Sequence, residues 1–271
     1  MEELRIGLIG TGAIGRTHIT RINTRLSGGK VVACADVNAD FCRKIAEQYD
    51  LTAYETGEEM IEKAGLDAVV VTTSDAFHER YVLAAVQAGK YVFCEKPLAP
   101  SAESCKRIVD AELAAGKQLV QVGFMRRYDP GYRQLKEAIQ SRRYGEPLLL
   151  HCAHRNASIT EPWDNASAVE NSMVHEIDVL RWLLGEDYAT AEVRFGKSTR
   201  RAKEGLHDPQ IMVLTTKSGV RIDVESFVCN GHCYDIRCEV VCEDGILNLP
   251  KPATIEVLSN TLRGNAVDAD W

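Results

Sequence analysis

The residues whose types and spacing best suit chemistry open the chain. Gly10-Thr-Gly12-Ala13-Ile14-Gly15 is a G-x-G-x-x-G run placed directly after Leu4 to Ile9, an apolar stretch that reads as a buried strand. The first glycine permits a tight turn, the second lets backbone approach a pyrophosphate, and the third lets a following helix pack close to the strand. A helix beginning at Ala13 turns unpaired N–H groups and the positive end of its dipole toward the phosphates. Lys30 to Ala35 reads as a second strand closed by Asp36, which lies 21 residues after Gly15. That is close to the spacing of the acid that binds an adenosine ribose 2′-hydroxyl. Gly10, Gly12, Ala13, Ile14, Gly15 and Asp36 therefore form a candidate dinucleotide site.

A nicotinamide cofactor brings hydride chemistry and leaves the protein a proton to manage. Oxidising an alcohol needs a base for the hydroxyl proton and a positive group for the developing alkoxide. Lys96, at the end of a strand and fixed on one side by Pro97, is the natural electrostatic group. His175 suits the base, because an imidazole titrates near neutrality.

The elements that must position these groups follow from periodicity. Strands are predicted at 66–72, 90–94 and 117–122, and helices at 39–49, 56–64, 79–88 and 101–116. The resulting β-α-β alternation predicts a doubly wound parallel sheet with right-handed connections. Ligands of such sheets sit outside the carboxyl ends of the strands. Those ends carry Gly10–Gly15, Asp36, the loop 73–78, Glu95–Pro97 and the loop 123–128. After residue 122 the pattern changes: a helix over 131–140, then strands at 147–155, 189–197, 209–217, 219–228, 234–243 and 245–249. This half reads as an α+β domain on a mostly antiparallel open sheet, with hairpin turns at Lys217-Ser-Gly219 and Glu243-Asp-Gly245. One helix interrupts it. Ser167-Ala-Val-Glu170 has the form of a capping box, predicting a helix from Ala168 to Leu184. By α-helical spacing Asn171, His175, Asp178 and Trp182 share one face, and Glu170 lies about 140° from His175.

The bulk numbers bound the alternatives. With 271 residues the chain exceeds what one core serves well, so two domains are expected, 1–122 and 123–271. The formal net charge of −7 gives no global attraction to nucleic acid or anionic membrane. No apolar run spans a bilayer, and the N-terminus enters a strand without a signal peptide, which points to the cytoplasm. Nine scattered cysteines fit reduced thiols. Cys229, Cys233, Cys238 and Cys242 cluster, but without C-x-x-C spacing, and no metal site is expected.

GTGAIG, Cys94-Glu95-Lys96-Pro97, the stretch 120–132 (VQVGFMRRYDPGY) and the stretch 174–185 (VHEIDVLRWLLG) together resemble the Gfo/Idh/MocA oxidoreductases. Within that family, 151–156 (HCAHRN) and 234–239 (YDIRCE) are similar to the branch that acts on inositol. The resemblance implies an N-terminal Rossmann domain binding NAD and a C-terminal domain for substrate and oligomerisation. It implies oxidation of myo-inositol, or a close cyclic polyol, to the 2-keto product. In that role Lys96 holds the reacting hydroxyl, and His175 takes its proton. Arg126, His154, Asn156, Ser172 and Tyr234 match positions lining the polyol site, while Ser74, His78, Glu95 and Lys96 match positions near the cofactor. Asp36 favours NAD over NADP by repelling a 2′-phosphate. Members are commonly homotetramers that pack through the second domain's sheet.

Two departures stand out. The family usually carries an aspartate four residues before the histidine, where this chain has Asn171. An amide can hydrogen-bond the ring but cannot stabilise an imidazolium by charge, so Asp178 is the nearest acid expected to orient His175. Relatives also continue for several tens of residues beyond a segment like Asp268-Ala-Asp-Trp271, so the second domain is expected to be incomplete at its C-terminus. Alternatives of the same fold are a scyllo-inositol or sugar dehydrogenase. Asn171 also keeps open an NAD(H)-binding sensor or pseudoenzyme.

Overall fold

The computed structural model describes residues 3–159 and 163–249. They fall into two compact units, the first ending at Gly123 and the second beginning at Phe124. The segment 250–271, including Asp268–Trp271, lies outside the described residues.

The first unit is a six-stranded parallel sheet in the order β3-β2-β1-β4-β5-β6. Its strands are β1 (Leu4–Ile9), β2 (Gly29–Ala35), β3 (Thr52–Tyr54), β4 (Ala68–Val71), β5 (Tyr91–Cys94) and β6 (Val120–Val122). This order reverses between β1 and β4, the arrangement that opens a crevice for dinucleotides. Helices α1 (Ala13–Arg25), α2 (Ala39–Tyr49), α3 (Gly57–Lys63), α4 (His78–Gln87) and α5 (Ala102–Ala114) alternate with the strands. Covering a parallel sheet on both faces demands continuous apolar strands, and Val69, Val70 and Val71 are all buried. Strand β3 was not anticipated. Its three residues pair at the sheet edge with Ala33–Ala35, too short a run for any periodicity to register.

The second unit holds α6 (Pro130–Gln140) and a second sheet in the order β12-β11-β7-β10-β9-β8. The strands are β7 (Pro147–Arg155), β8 (Tyr188–Phe195), β9 (Gln210–Thr216), β10 (Arg221–Phe227), β11 (Asp235–Cys242) and β12 (Ile246–Asn248). The β7–β10 pair is parallel, and the other pairings are antiparallel. Both expected hairpin turns are present, between β9 and β10 and between β11 and β12. Leu150, Met212, Leu214, Ile222, Val224 and Val240 from one sheet face pack with Leu135 and Ile139 of α6 and with Val179, Leu180 and Leu183.

Those last three belong to α8 (Val174–Leu184), and the rod that contains it differs from the expectation in two ways. It starts earlier, at α7 (Asn165–Ser167). Asp164, not Ser167, is the N-cap: its Oδ1 accepts the Ser167 N–H at 2.8 Å and the Ser167 hydroxyl at 2.7 Å. A carboxylate makes a stronger acceptor than a hydroxyl at a helix N-terminus and also complements the dipole. Ser167 therefore closes the capping box instead of opening it. The second difference is that Ala168–Met173 is π-helical. Its i→i+5 bonding adds a residue to the turn, so angles counted at α-helical spacing from Glu170 or Asn171 to His175 do not apply. Glu170 is exposed and Asn171 half-buried.

Candidate active-site residues

In the first unit the glycine loop has the shape a pyrophosphate needs. Gly10 has φ +96°, and a Cβ there would lie 2.7 Å from the Thr72 carbonyl group. A Cβ on Gly15 would lie 2.0 Å from the Gly10 carbonyl oxygen, so α1 can approach the strand only with glycine at that point. A Cβ on Gly12 would meet nothing within 4 Å. The open space over Gly12 is the cradle, at the N-cap of a helix with no acidic residue in its first turn. Ala13 and the exposed Ile14 form that turn. Asp36 is fixed at the end of β2: Oδ2 accepts the Thr11 N–H at 2.6 Å and the Thr11 hydroxyl at 3.0 Å, and Oδ1 accepts the Asn38 N–H at 2.9 Å. An ionised carboxylate offers about four acceptor positions, so capacity remains for a ribose hydroxyl. The residues present fit NAD.

The other first-unit residues organise the turn that carries Lys96. Ser74 precedes a short 3₁₀ turn, Asp75–Phe77, and its carbonyl accepts the Phe77 N–H at 3.0 Å. His78 is buried, with Nδ1 at 2.7 Å from the Pro97 carbonyl oxygen and Nε2 at 3.0 Å from that of Thr73. Both nitrogens thus face backbone, and the ring ties the loop after β4 to the residue following Lys96. Glu95 does the same from the other side. Its Oε2 accepts the Lys96 N–H at 3.2 Å, and its Oε1 lies 2.8 Å from His18 Nε2. His18 sits on α1 with its ring edge-on to Phe93. No local motif marks His18, which lies 77 residues from its partner.

In the second unit the structure brings Arg126, His154, Tyr234 and His175 together around a residue that sequence reasoning missed, Glu176. Arg126 lies in a 3₁₀ turn, Met125–Tyr128, and is 3 % exposed. Its guanidinium Nη1 donates to Glu176 Oε1. The other carboxylate oxygen, Oε2, lies 2.9 Å from His154 Nδ1, and Arg126 Nη2 lies 3.1 Å from that same nitrogen. Burial by itself raises the Glu176 pKa, but the Arg126 charge and the His154 contact outweigh it and hold the carboxyl at about 2. Glu176 is thus an anion at 2 % exposure. His175, the second residue of α8, is buried, with its ring centroid 5.9 Å from that of His154 and 6.5 Å from that of Phe124. The half-exposed ring of Tyr234 meets His154 edge-on at 6.2 Å.

The remaining expected residues lie around this cluster in different ways. The Asn156 backbone is pinned from both sides: its N–H donates to the Phe227 carbonyl at 2.9 Å, and its carbonyl accepts the Asn230 side-chain amide at 2.8 Å. Ser172 is buried in the π-helical turn, and its hydroxyl has no hydrogen-bond partner among the described residues. Ser226, the register partner of His154 across β7 and β10, likewise buries an unpartnered hydroxyl. A buried hydroxyl without a partner costs stability, and Ser226 was not expected from sequence. Asp178, the acid expected to orient His175, is engaged by Arg127, which holds both its oxygens, Oδ2 at 2.9 Å from Nε. Among the described residues no group of three or more His, Cys, Asp or Glu side chains could hold a metal ion.

Comparison with known proteins assigns this arrangement to a lineage. Residues 4–124 match the family model "Oxidoreductase family, NAD-binding Rossmann fold", and residues 132–248 match the GFO/IDH/MocA C-terminal domain. The chain is 50 % identical over 271 residues to the inositol 2-dehydrogenase of Pseudomonas fluorescens (strain SBW25), covering 99 % of this chain and 81 % of that protein. It is 52 % identical over 270 residues to the inositol 2-dehydrogenase of Burkholderia cenocepacia (strain HI2424), covering 99 % and 80 %. The crystal structure of myo-inositol dehydrogenase from Lactobacillus casei, in complex with NAD(H) and myo-inositol, superposes with a TM-score of 0.93 at 37 % identity, covering all of this chain and 81 % of that one. With both units matched and half of all positions shared with such relatives, this chain belongs to the GFO/IDH/MocA oxidoreductase family.

Proposed function

We propose that the protein is an NAD-dependent dehydrogenase that oxidises myo-inositol, or a closely related cyclic polyol, to the 2-keto product. The observation that carries the reading is the buried Arg126–Glu176–His154 cluster with His175 and the half-exposed Tyr234 against it. Such a group offers several fixed polar contacts to a ligand rich in hydroxyls, and relatives at 50 % identity carry the inositol 2-dehydrogenase name. When bound, NAD supplies the hydride acceptor. His175 takes the hydroxyl proton as the carbinol C–H bond breaks. The Lys96 ammonium holds the reacting oxygen and favours its developing negative charge. The balance is CH–OH and NAD⁺ going to C=O, NADH and a proton. Arg126, His154, Asn156, Ser172 and Tyr234 position the remaining hydroxyls. Gly10, Gly12, Ala13, Ile14, Gly15, Asp36, Ser74, His78 and Glu95 hold or frame the cofactor, with Asp36 excluding a 2′-phosphate by charge. On this reading the protein works in the cytoplasm as a homotetramer, and the exposed Phe195 and Ile211 on the second sheet suit a subunit contact.

The test is growth of NADH absorbance on mixing the protein with NAD and, separately, myo-, scyllo- and chiro-inositol and glucose. Quenching of tryptophan fluorescence by NADH serves as the binding control. Turnover of one inositol is expected. NADH binding without turnover of any polyol would favour a sensor, the second reading, which rests on Asn171. Asn171→Asp separates the two further. A carboxylate at position 171 adds a negative charge to the half-buried π-helical turn that leads into His175, and a nearby negative charge stabilises a protonated imidazole. The acid limb of the kcat/KM profile is expected to move to higher pH by about one unit, with higher turnover on the plateau. A profile identical to that of the unaltered protein would remove Asn171 from the explanation.

A further inference from the structure

We propose that Glu176, backed by Arg126, is a positioning residue that fixes His154 as its Nδ1–H tautomer, so that Nε2 is an obligatory acceptor for one hydroxyl proton of the polyol. The inference rests on the polyol-oxidising reading above and assigns a role inside that site.

The argument starts from what can donate to what. His154 Nδ1 has two close neighbours, Glu176 Oε2 at 2.9 Å and Arg126 Nη2 at 3.1 Å. An ionised carboxylate only accepts, and a guanidinium only donates. A bare Nδ1 lone pair would satisfy the guanidinium but would face an anionic oxygen at the shorter of the two distances. A proton on Nδ1 satisfies that oxygen instead. The carboxylate has little other choice, since Glu176 is 2 % exposed and its Oε1 is already occupied by Arg126 Nη1. Arg126 does not depend on His154, because its charge is matched by Glu176. The carboxylate therefore accepts a hydrogen bond from an Nδ1–H that stays on the ring, and a neutral ring with Nδ1–H has an acceptor at Nε2.

The scaffold makes that orientation rigid. His154 lies on β7, a strand with a neighbour on each side, and is in register with Ser226 on β10 and Ile236 on β11. Its ring is confined by Tyr234 edge-on and by His175. Glu176 is adjacent in sequence to His175, and both lie buried in the first turn of α8. A hydroxyl able to donate toward Nε2 is accepted. A ligand presenting only an acceptor there, such as a ring in which that hydroxyl is replaced by fluorine or a methoxy oxygen, is rejected. Sites built around a fixed polar partner discriminate strongly for this reason.

The experiment uses the full chain labelled with ¹⁵N-histidine, with long-range ¹H–¹⁵N correlation at pH 7.5, and signals of His154 assigned by their loss in His154→Gln. The expected result for the unaltered protein is a His154 ring protonated at Nδ1 alone. In Glu176→Gln, whose amide can accept or donate, that single tautomer is expected to give way to a mixture. KM for the inositol the enzyme oxidises should rise about tenfold, with kcat and the NADH dissociation constant changing less than about threefold. A ring protonated at Nε2 in the unaltered protein overturns the proposal, and so does a Glu176→Gln variant with unchanged tautomer and KM. If Glu176→Gln does not fold, the tautomer of the unaltered protein decides alone. If no polyol is oxidised, an Nδ1–H ring sustains the positioning role while the dehydrogenase reading fails.

Discussion

Replacing His175 with glutamine is expected to lower kcat for inositol oxidation by about 10²- to 10⁴-fold, the range that positioned general bases contribute. Glutamine keeps a polar, hydrogen-bonding side chain of similar reach but cannot accept a proton at neutral pH. His175 is buried at the start of α8, next in sequence to the anionic Glu176 and 5.9 Å, ring to ring, from His154. The substitution therefore removes the proton acceptor while leaving the Arg126–Glu176–His154 cluster its own bonds. NADH binding, carried by the first unit, should stay within about twofold, and KM should change far less than kcat. That split marks an interaction made in the transition state and not in the ground state. The acid limb of the pH–rate profile should also vanish, because the group that must lose a proton before reaction is gone. Steady-state rates with NADH fluorescence quenching as control give both numbers. A variant with more than about a tenth of the original kcat would show that His175 is not the base.

What the sequence revealed and what it hid divide along contact distance. The glycine loop and Asp36 were legible because strand, turn, helix and next strand are contiguous, and each residue's reason is local backbone geometry. The parallel sheet was legible because burial on both faces writes itself as runs such as Val69–Val71. Residues whose meaning depends on a remote partner were not. Glu176 stands 50 residues from Arg126 and 22 from His154. Nothing in HEID distinguishes it from a surface acid on a helix. His18 is a similar case. Arg126 entered only through the family resemblance, as an expected polyol-site residue, and its burial against Glu176 had no mark in the sequence. The π-helical turn left no trace because a π-bonded segment uses the same residue types as an α-helix. The choice of Asp164 over Ser167 as N-cap was a contest between two adequate caps, decided by charge. Glu176 and His18 are the cases where a remote partner chose between locally equivalent options.

Arg126→Met is expected to destabilise the second unit by roughly 3–5 kcal/mol at pH 7, because removing one partner of a buried ion pair leaves the other as an uncompensated buried charge. Methionine fills much of the volume, so the loss reports charge more than cavity. The pH dependence gives the sign. In the unaltered protein Glu176 titrates at about 2, below its ordinary value of 4.5, so it contributes stability above pH 4.5 that is lost as pH falls toward 2. Without Arg126 the burial effect prevails, with only the His154 N–H opposing it, and the carboxyl titrates above its ordinary value. The variant then gains relative stability on protonation, so its deficit shrinks as pH drops toward 4 and widens again as pH rises. The second substitution, Glu176→Gln, removes the stranded charge and should recover most of the loss. The double variant is thus expected to be more stable at pH 7 than Arg126→Met alone, the non-additivity that contacting charges show. Thermal melts of the four proteins between pH 4 and 8 measure this. A deficit independent of pH, or a double variant whose losses simply add, would mean that the Arg126–Glu176 pair is not what holds this cluster together.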